Sequence, residues 1–325
     1  MRVIRVPQDE PTIQEAVNSA RAGNIIIIDE GVFDEEVSIF TDNLLIVGKG
    51  SKTVLQSPTC EEGTGFQVNA NGVQIHEMAI RNFDIGIQVI DSSDIVLGNL
   101  KLENNVGTGI EILFSSNIKL VKVEVIRSRV GLFPFVVTDF SMEGSKLFQN
   151  FIAQLDAVIS RATVTNTEYR DNFLGFLPGP GNNYHVNFCK FIGNEFIGGS
   201  FFAIDDGSIK NCIAEDNSFS AGLGSSLGTR NHIAFNQSRR NGLSGIRLGS
   251  EDSSVVEFNE ATNNGQGMPT LSGGGIFLRF TNNTVVRFNT AKNNIPADII
   301  VIDGSGNTFI GNDFDTFRET PTDPI

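Results

Sequence analysis

Ile95-Val-Leu-Gly-Asn-Leu-Lys-Leu-Glu-Asn-Asn-Val-Gly-Thr-Gly-Ile-Glu-Ile-Leu-Phe-Ser-Ser-Asn117 decides the fold, because the chain repeats its grammar immediately afterwards. Ile95-Val-Leu97 reads as one strand, Leu100 and Leu102 mark a second, Asn105 turns the chain, and Ile110-Glu-Ile112 makes a third. The next pass repeats the order with Ile118, Leu120, Val123, Val125, Ser128 and Leu132. Alternate strand residues point to opposite faces, so these apolar residues stack as columns through an interior.

Outward from this stretch, the turn asparagine returns at a step of about 23 residues: Asn82, Asn105, Asn150, Asn172, Asn194, Asn217, Asn241 and Asn264, with Ser128 standing in once. A longer step then reaches Asn294. After most of these turns comes a small residue and then an apolar one, as in Gly86-Ile87, Gly109-Ile110, Gly131-Leu132, Gly175-Phe176, Gly222-Leu223, Gly245-Ile246 and Gly275-Ile276. A fixed period means stacked supersecondary units. A unit of this length, rich in β-branched and aromatic residues and without helical spacing, is one coil of three short strands. Asparagine tolerates left-handed backbone angles and offers both a donor and an acceptor, so stacked copies are expected to bond to one another along the axis.

The fold class is therefore all-β, a solenoid of roughly ten to twelve coils in one domain. Residues 1–42 form an entry with a capping helix and the first strands, 43–317 the coils, and 318–325 a polar tail. In the entry, Thr12-Ile-Gln-Glu15 is a capping box for a helix. Ile13, Ala16, Val17 and Ala20 share one helical face, and Gly23 ends it. Such a helix covers the open edge of the first coil. The rhythm breaks twice. Phe176-Leu-Pro-Gly-Pro-Gly181 should interrupt the local ladder. The Gly-rich stretch 265–275 lengthens one coil, either as a substrate flap or as a neutral decoration.

Composition sets limits on function. The 34 Gly and 26 Phe suit tight turns and a packed aromatic interior, whereas Trp is absent and Tyr occurs twice, which argues against a Trp or Tyr sugar-stacking platform. A net charge of −14 argues against nucleic acid. It also means that a polyanionic substrate needs a local basic cluster or bound Ca²⁺. No apolar run is long enough to span a membrane, and no signal peptide is visible after Met1, which leaves the compartment open. Cys189 and Cys212 are one coil apart and should lie one above the other, either as a disulfide or metal pair or as two small buried groups, while Cys60 stands apart.

Together the repeat and the entry segment Pro11-Thr-Ile-Gln-Glu-Ala-Val17, Ile25-Ile-Ile-Ile28, Glu30-Gly-Val-Phe33 and Glu36-Val37 resemble the right-handed parallel β-helix superfamily, single-stranded solenoids that include pectate lyases, NosD-like proteins, epimerases and phage tailspikes. The entry segment is similar to the opening of pectin methylesterases and NosD-like proteins. The resemblance implies the fold. The catalytic signatures of pectin methylesterases, polygalacturonases and alginate epimerases are not present, apart from a polygalacturonase-like Asp205-Asp206, so no named activity follows from it.

Such proteins generally work in a groove on the outer wall, so titratable residues brought together by the period are the candidates. Asp205 and Asp206 sit in the turn after a third strand, Arg230 in the matching turn one coil later, and Glu251 and Asp252 in the one after that. His185 and His232 are two coils apart with Ser208 between them, and Arg247 and Arg279 point out from the adjoining strand. Two carboxylates can share acid and base roles, a histidine can move a proton, and an arginine can neutralise a uronate carboxylate. Asp205, Asp206, Arg230, His185 and His232 are thus candidate catalytic residues, with Arg247, Glu251, Asp252 and Arg279 binding substrate. A ladder of alternating charges that only offsets its own members is the other reading. Asp205-Asp206 is also a candidate Ca²⁺ ligand set.

The expected function is binding or processing of an extended polysaccharide, as a lyase or glycoside hydrolase if catalytic. The alternative is a non-catalytic surface-assembly rod. With Ile87, Ile110 and Leu132 facing inward, Glu111, Phe133, Ile90, Leu113, Phe135, Leu177 and Phe277 face outward. An outward apolar stripe calls for a cover, and self-association as a trimer is expected by analogy with tailspikes.

Overall fold

Every coil turns on residues at left-handed backbone angles, and between those corners lie three short strands. The structure, a computed structural model, describes residues 1–267 and 273–320. The chain makes about 13 turns of about 23 residues each, all paired in parallel, and falls into two compact units, Met1–Ile159 and Ser160–Ile325. The turns exceed the number expected because the entry strands are already coils. Val3 pairs with Ile25, Ile25 with Leu45 and Leu45 with Gln74, in line with the later strands.

In the first unit, Ile87, Leu97, Leu102, Ile110, Ile118 and Leu120 are buried in the interior columns that the alternation demands. Each such side chain contributes roughly 1.5–3 kcal/mol when buried. The helix Ile13–Ser19 buries Ile13, Ala16 and Val17, while Ala20 is its C-cap. Its capping differs from the expected box. Thr12 Oγ1 accepts from Glu15 N at 3.1 Å, but the Glu15 carboxylate takes the Thr12 hydroxyl instead of a backbone amide. The Ile13 and Gln14 amides donate to Glu35, each at 2.9 Å. An acid 22 residues downstream therefore ties the helix to the strand region it covers.

The second unit has an aromatic interior of Tyr169, Phe176, Tyr184, Phe191 and Phe201, with ring centroids 5.2–6.5 Å apart. Beyond it Ile233, Ile246, Leu248, Val256, Ile276 and Leu278 continue the core in aliphatic side chains. The proline-rich break lies between the strands Leu174–Pro178 and Gly181–Asn187. The last described strand is Phe317–Thr320, and the rest of the expected tail, 321–325, lies outside the described residues.

Asparagine ladder bonds occur within each unit, as from Ser128 N to Asn150 in the first. In the second, the backbone amides of Asn194, Asn217, Asn241 and Asn264 each donate to the side-chain oxygen of the next member, at 2.9–3.2 Å, ending at Asn294. Each Nδ2 reaches back to a carbonyl, as Asn217 does to Phe191 at 3.0 Å. Two details correct the sequence reading. The left-handed residue is the one before the ladder member, for example Asn104, Arg127 or Arg240, not the ladder asparagine itself. Asn82 is such a corner residue, at φ 61°, and Phe83 holds the ladder position, donating to Asn105 at 3.1 Å. A second ladder, Asn236, Asn259, Asn289 and Asn312, lies one corner away and begins under Cys212. Cys189 and Cys212 do stack, as free and buried thiols, with Cys189 N donating to Cys212 Sγ at 3.4 Å.

The glycine after each ladder residue follows from close approach of the next coil. A Cβ on Gly131 would lie 2.5 Å from Ala153 O, and one on Gly275 would lie 2.5 Å from Asp298 O.

Candidate functional site

The nine candidate residues all lie in the second unit, where the coil brings them into register but spreads them over three stretches of each turn. On the strand after the corner, His185 pairs with Ser208 and Ser208 with His232. His185 Nδ1 is 3.0 Å from Ser208 Oγ. Burial, followed by the charge of Lys210, lowers the His185 pKa below its ordinary value, which favours the neutral imidazole. His232 turns the other way, with Nε2 2.8 Å from Glu257 Oε1, and Arg287 holds the other carboxylate oxygen at 2.6 Å.

At the corner, Asp205, Thr229, Asp252 and Asn282 form successive bridges. Asp205 Oδ1 accepts from Thr229 N at 2.8 Å and from its hydroxyl at 2.9 Å. Asp206 and Arg230, both at left-handed angles, form a bidentate pair with two bonds of 2.7 Å. The Arg230 hydrogen bond pulls the Asp206 pKa down. Asp252 accepts from Asn283 Nδ2 at 2.9 Å and from the Ser253 hydroxyl at 3.0 Å.

Glu251 departs from the expectation that it faces substrate, for it is fully buried. Its Oε1 accepts from Ser225 Oγ at 2.7 Å and Gly228 N at 2.9 Å, and its Oε2 from Asn231 Nδ2 at 3.0 Å and Ser254 Oγ at 2.8 Å. Counting by period gave its height but could not show that this side chain turns under the corner. Four donors satisfy the carboxylate, so it organises the corner from within.

Among the described residues, no group of three or more His, Cys, Asp or Glu gathers to hold a metal ion. The oxygens of Asp206 are engaged by Arg230, and one of Asp205 by Thr229.

The strand before the corner is different. Here Ser200, Gly224, Arg247 and Phe277 form one outward row, and Phe202, Ser226, Gly249 and Arg279 the next. The small residues leave a hollow of about 320 Å³ bordered by Phe196, Phe219, Leu243 and Arg247. Arg247 Cζ sits 5.5 Å from the Phe277 ring centroid and Arg279 Cζ 4.9 Å from that of Phe280. Burial, and next the like charge of Arg279, lower the Arg247 pKa, although a guanidinium stays cationic at neutral pH. Among the described residues, no carboxylate pairs with either guanidinium, whereas Arg170, Arg230, Arg239, Arg240 and Arg287 all have one. Phe277, read as outward, does face out but is fully buried, against Ala297, Ile300 and Ile302. The middle of the Gly-rich insertion, 268–272, lies outside the described residues.

Sequence reasoning expected the two arginines on the outer face of this strand, where they lie, but did not foresee the hollow. Its signal was the run of small outward residues, Ser200, Gly224, Ser226 and Gly249, beside Phe196 and Phe219.

The family described as "Right handed beta helix region" matches residues 64–208 and 199–314. Among solved structures, the chain is similar to the A-module of the Azotobacter vinelandii mannuronan C-5 epimerase AlgE6, at 14% identity and TM-score 0.53, with 96% of this chain and 94% of that one covered. A mutant of the periplasmic alginate epimerase AlgG gives 11% and 0.68, with 95% and 83% covered. The pectate lyase Pel9A gives 14% and 0.55, with 79% and 76% covered. At these identities the likeness is one of fold. No curated protein matches the chain by sequence.

Proposed function

We propose that this chain, which belongs to the right-handed β-helix family, binds or processes an extended acidic polysaccharide along the outer wall of its second unit. The observation that carries this reading is the pair Arg247 and Arg279. In a chain of net charge −14, two guanidiniums stand close enough to repel one another and lack a carboxylate partner among the described residues. That arrangement costs energy until an external anion fills it. Arg318 lies in the same register row as Arg247, with Phe277 and Ile300 between them. Phe196 and Phe219 beside the hollow offer apolar contact to sugar rings. Neighbours of the same fold named for alginate, mannuronan and pectate support carbohydrate as the ligand class.

For proton transfer, Asp205 and His185 are the freest of the candidate groups, since Asp206 is held in an ion pair with Arg230 and His232 is hydrogen-bonded to the Glu257 carboxylate. Any bond cleavage is best sought by incubating alginate and polygalacturonate with the protein, with Ca²⁺ and with chelator. New reducing ends would report hydrolysis, and the ultraviolet absorbance of unsaturated uronates would report elimination. Binding is tested separately by titration. Arg247→Ala and Arg279→Ala should each weaken polyuronate binding about tenfold, the worth of one charge-assisted contact. Unchanged affinity in both variants would reject the site.

A second reading, self-association, is favoured by one observation in the first unit. Ile90, Leu113 and Phe135 align outward, Phe133 stacks on Phe135 at 6.2 Å, and Phe114 is 54% exposed beside them. Leu113→Lys or Phe133→Lys should shift a sedimenting oligomer toward monomer. A wild-type monomer at all concentrations would remove this reading.

A further inference from the structure

One corner of the second unit carries an exposed aromatic column that neither reading uses. Phe235, Phe258 and Phe288 follow one another on successive coils at φ 59°, 52° and 54°, each about half exposed. Left-handed angles are disfavoured for a bulky L-residue, and the same corner one coil earlier uses Asn211 instead. The rings stack nearly parallel, at 5.1 and 5.2 Å between centroids. That spacing exceeds carbon–carbon contact, so the rings overlap only in part and leave apolar surface open to solvent. Beside them runs a polar row in register, Gln237, Glu260 and Thr290, and the two rows line a shallow groove of about 550 Å³.

We propose that this corner is a second carbohydrate-contact strip, taking the apolar face of a neutral glycan chain laid along the coil axis. Exposed apolar residues at left-handed corners recur, at Phe188 and Leu227 for example, so what marks this corner is three rings stacked on successive coils. The dimensions select the occupant. Three half-exposed rings offer roughly 300 Å² of apolar surface, well short of the ~800 Å² per partner of a stable protein interface. A strip one ring wide, flanked on each coil by an amide, a carboxylate or a hydroxyl, suits a ligand one sugar wide with a hydroxylated rim. Charge selects neutral over acidic glycan. Among the described residues, no cation pairs with Glu260, and the basic groups on the flanking strands are engaged by other acids, His232 and Arg287 by Glu257, Arg239 by Glu215, and Lys292 by Asp313 and Asp315. A polyuronate would be repelled here, in contrast to the wall of Arg247 and Arg279.

The test is affinity electrophoresis through gels containing soluble β-glucan, galactomannan or xylan. Wild-type protein should be retarded by at least one of these. The triple variant Phe235→Asn/Phe258→Asn/Phe288→Asn, which extends the asparagine found at Asn211 along the corner, should keep its circular dichroism and lose retardation at least about tenfold. Glu260→Ala should weaken it while leaving the rings in place, which keeps the test valid should the triple variant misfold. Arg247→Ala should not change it, so failure here and failure of the polyuronate site are distinguishable. Absence of retardation by all three glycans, or equal retardation of wild type, the triple variant and Glu260→Ala, overturns the proposal. So does conversion of a wild-type oligomer to monomer in the triple variant, which would mark the corner as a protein interface.

Discussion

A ladder asparagine does more than turn the chain: its oxygen accepts an amide from one neighbouring coil while its nitrogen serves carbonyl groups of the coils around it, so each copy supports the next. The one serine in the series shows the consequence. Ser128 is too short to complete the pattern, and both its hydroxyl and Asn105 Nδ2 are buried without a hydrogen-bond partner among the described residues. Ser128→Asn should restore those bonds and stabilise the fold by about 1 kcal/mol, read as a higher urea midpoint at unchanged slope. A lower midpoint would mean that the column cannot accept the larger side chain. The same scale explains why the corner phenylalanines stand out. Left-handed angles cost an L-residue roughly 1–2 kcal/mol, and three such residues are offset by only two ring pairs worth ~0.5–1.5 kcal/mol each. Their signal is legible as Phe-Asn at 235, 258 and 288. It is a weak one, because a phenylalanine in a β-rich repeat reads as interior packing until its backbone angle is known.

At the scale of elements, the period exposed nearly all of the strand order, since a column of buried aliphatics every 23 or so residues has no other compact packing. The facing of Ile87, Ile110 and Leu132 inward and of Leu113 and Phe135 outward was legible for the same reason. What local pattern could not reveal was partners far along the chain. Glu35 capping the helix from the turn between the strands Gly31–Asp34 and Val37–Ile39 is one case, and Glu251 folding under its corner is another. The end of the first ladder is a third. Asp298 receives the amide and side chain of Asn294 on one oxygen, and the amides of Asp315 and Thr316 with the Thr316 hydroxyl on the other. Burial opposes its ionisation, but these donors outweigh that effect and leave its pKa below the ordinary value. A depressed carboxyl pKa stabilises the fold above the unfolded value of about 3.9, and that contribution is lost as pH falls through the folded value. Asp298→Asn sets an amide against donors and should cost about 1.5–3 kcal/mol at pH 7. The deficit should shrink below about pH 4, checked by thermal melts across that range. A deficit independent of pH would show that the charge is not what the ladder end requires.

Over the whole molecule, the acidic balance is the feature that gives meaning to two neighbouring arginines of the second unit that have no carboxylate partner among the described residues. Most arginines of the second unit are engaged by neighbouring acids, as in Arg240 with Glu215 and Asp216. A wall that keeps Arg247 and Arg279 apart from such pairing is a local reversal of the overall field. Attraction to a polyanion there should be short-ranged and weaken with salt, because the rest of the surface repels it. The most direct test is calorimetric titration of alginate into wild type and into Arg247→Ala/Arg279→Ala, at low and at physiological ionic strength. The wild type should bind alginate with an affinity that weakens with salt, and the double variant should lose binding while its melting temperature stays unchanged or rises. Equal affinity of the two proteins for alginate would contradict binding at this wall.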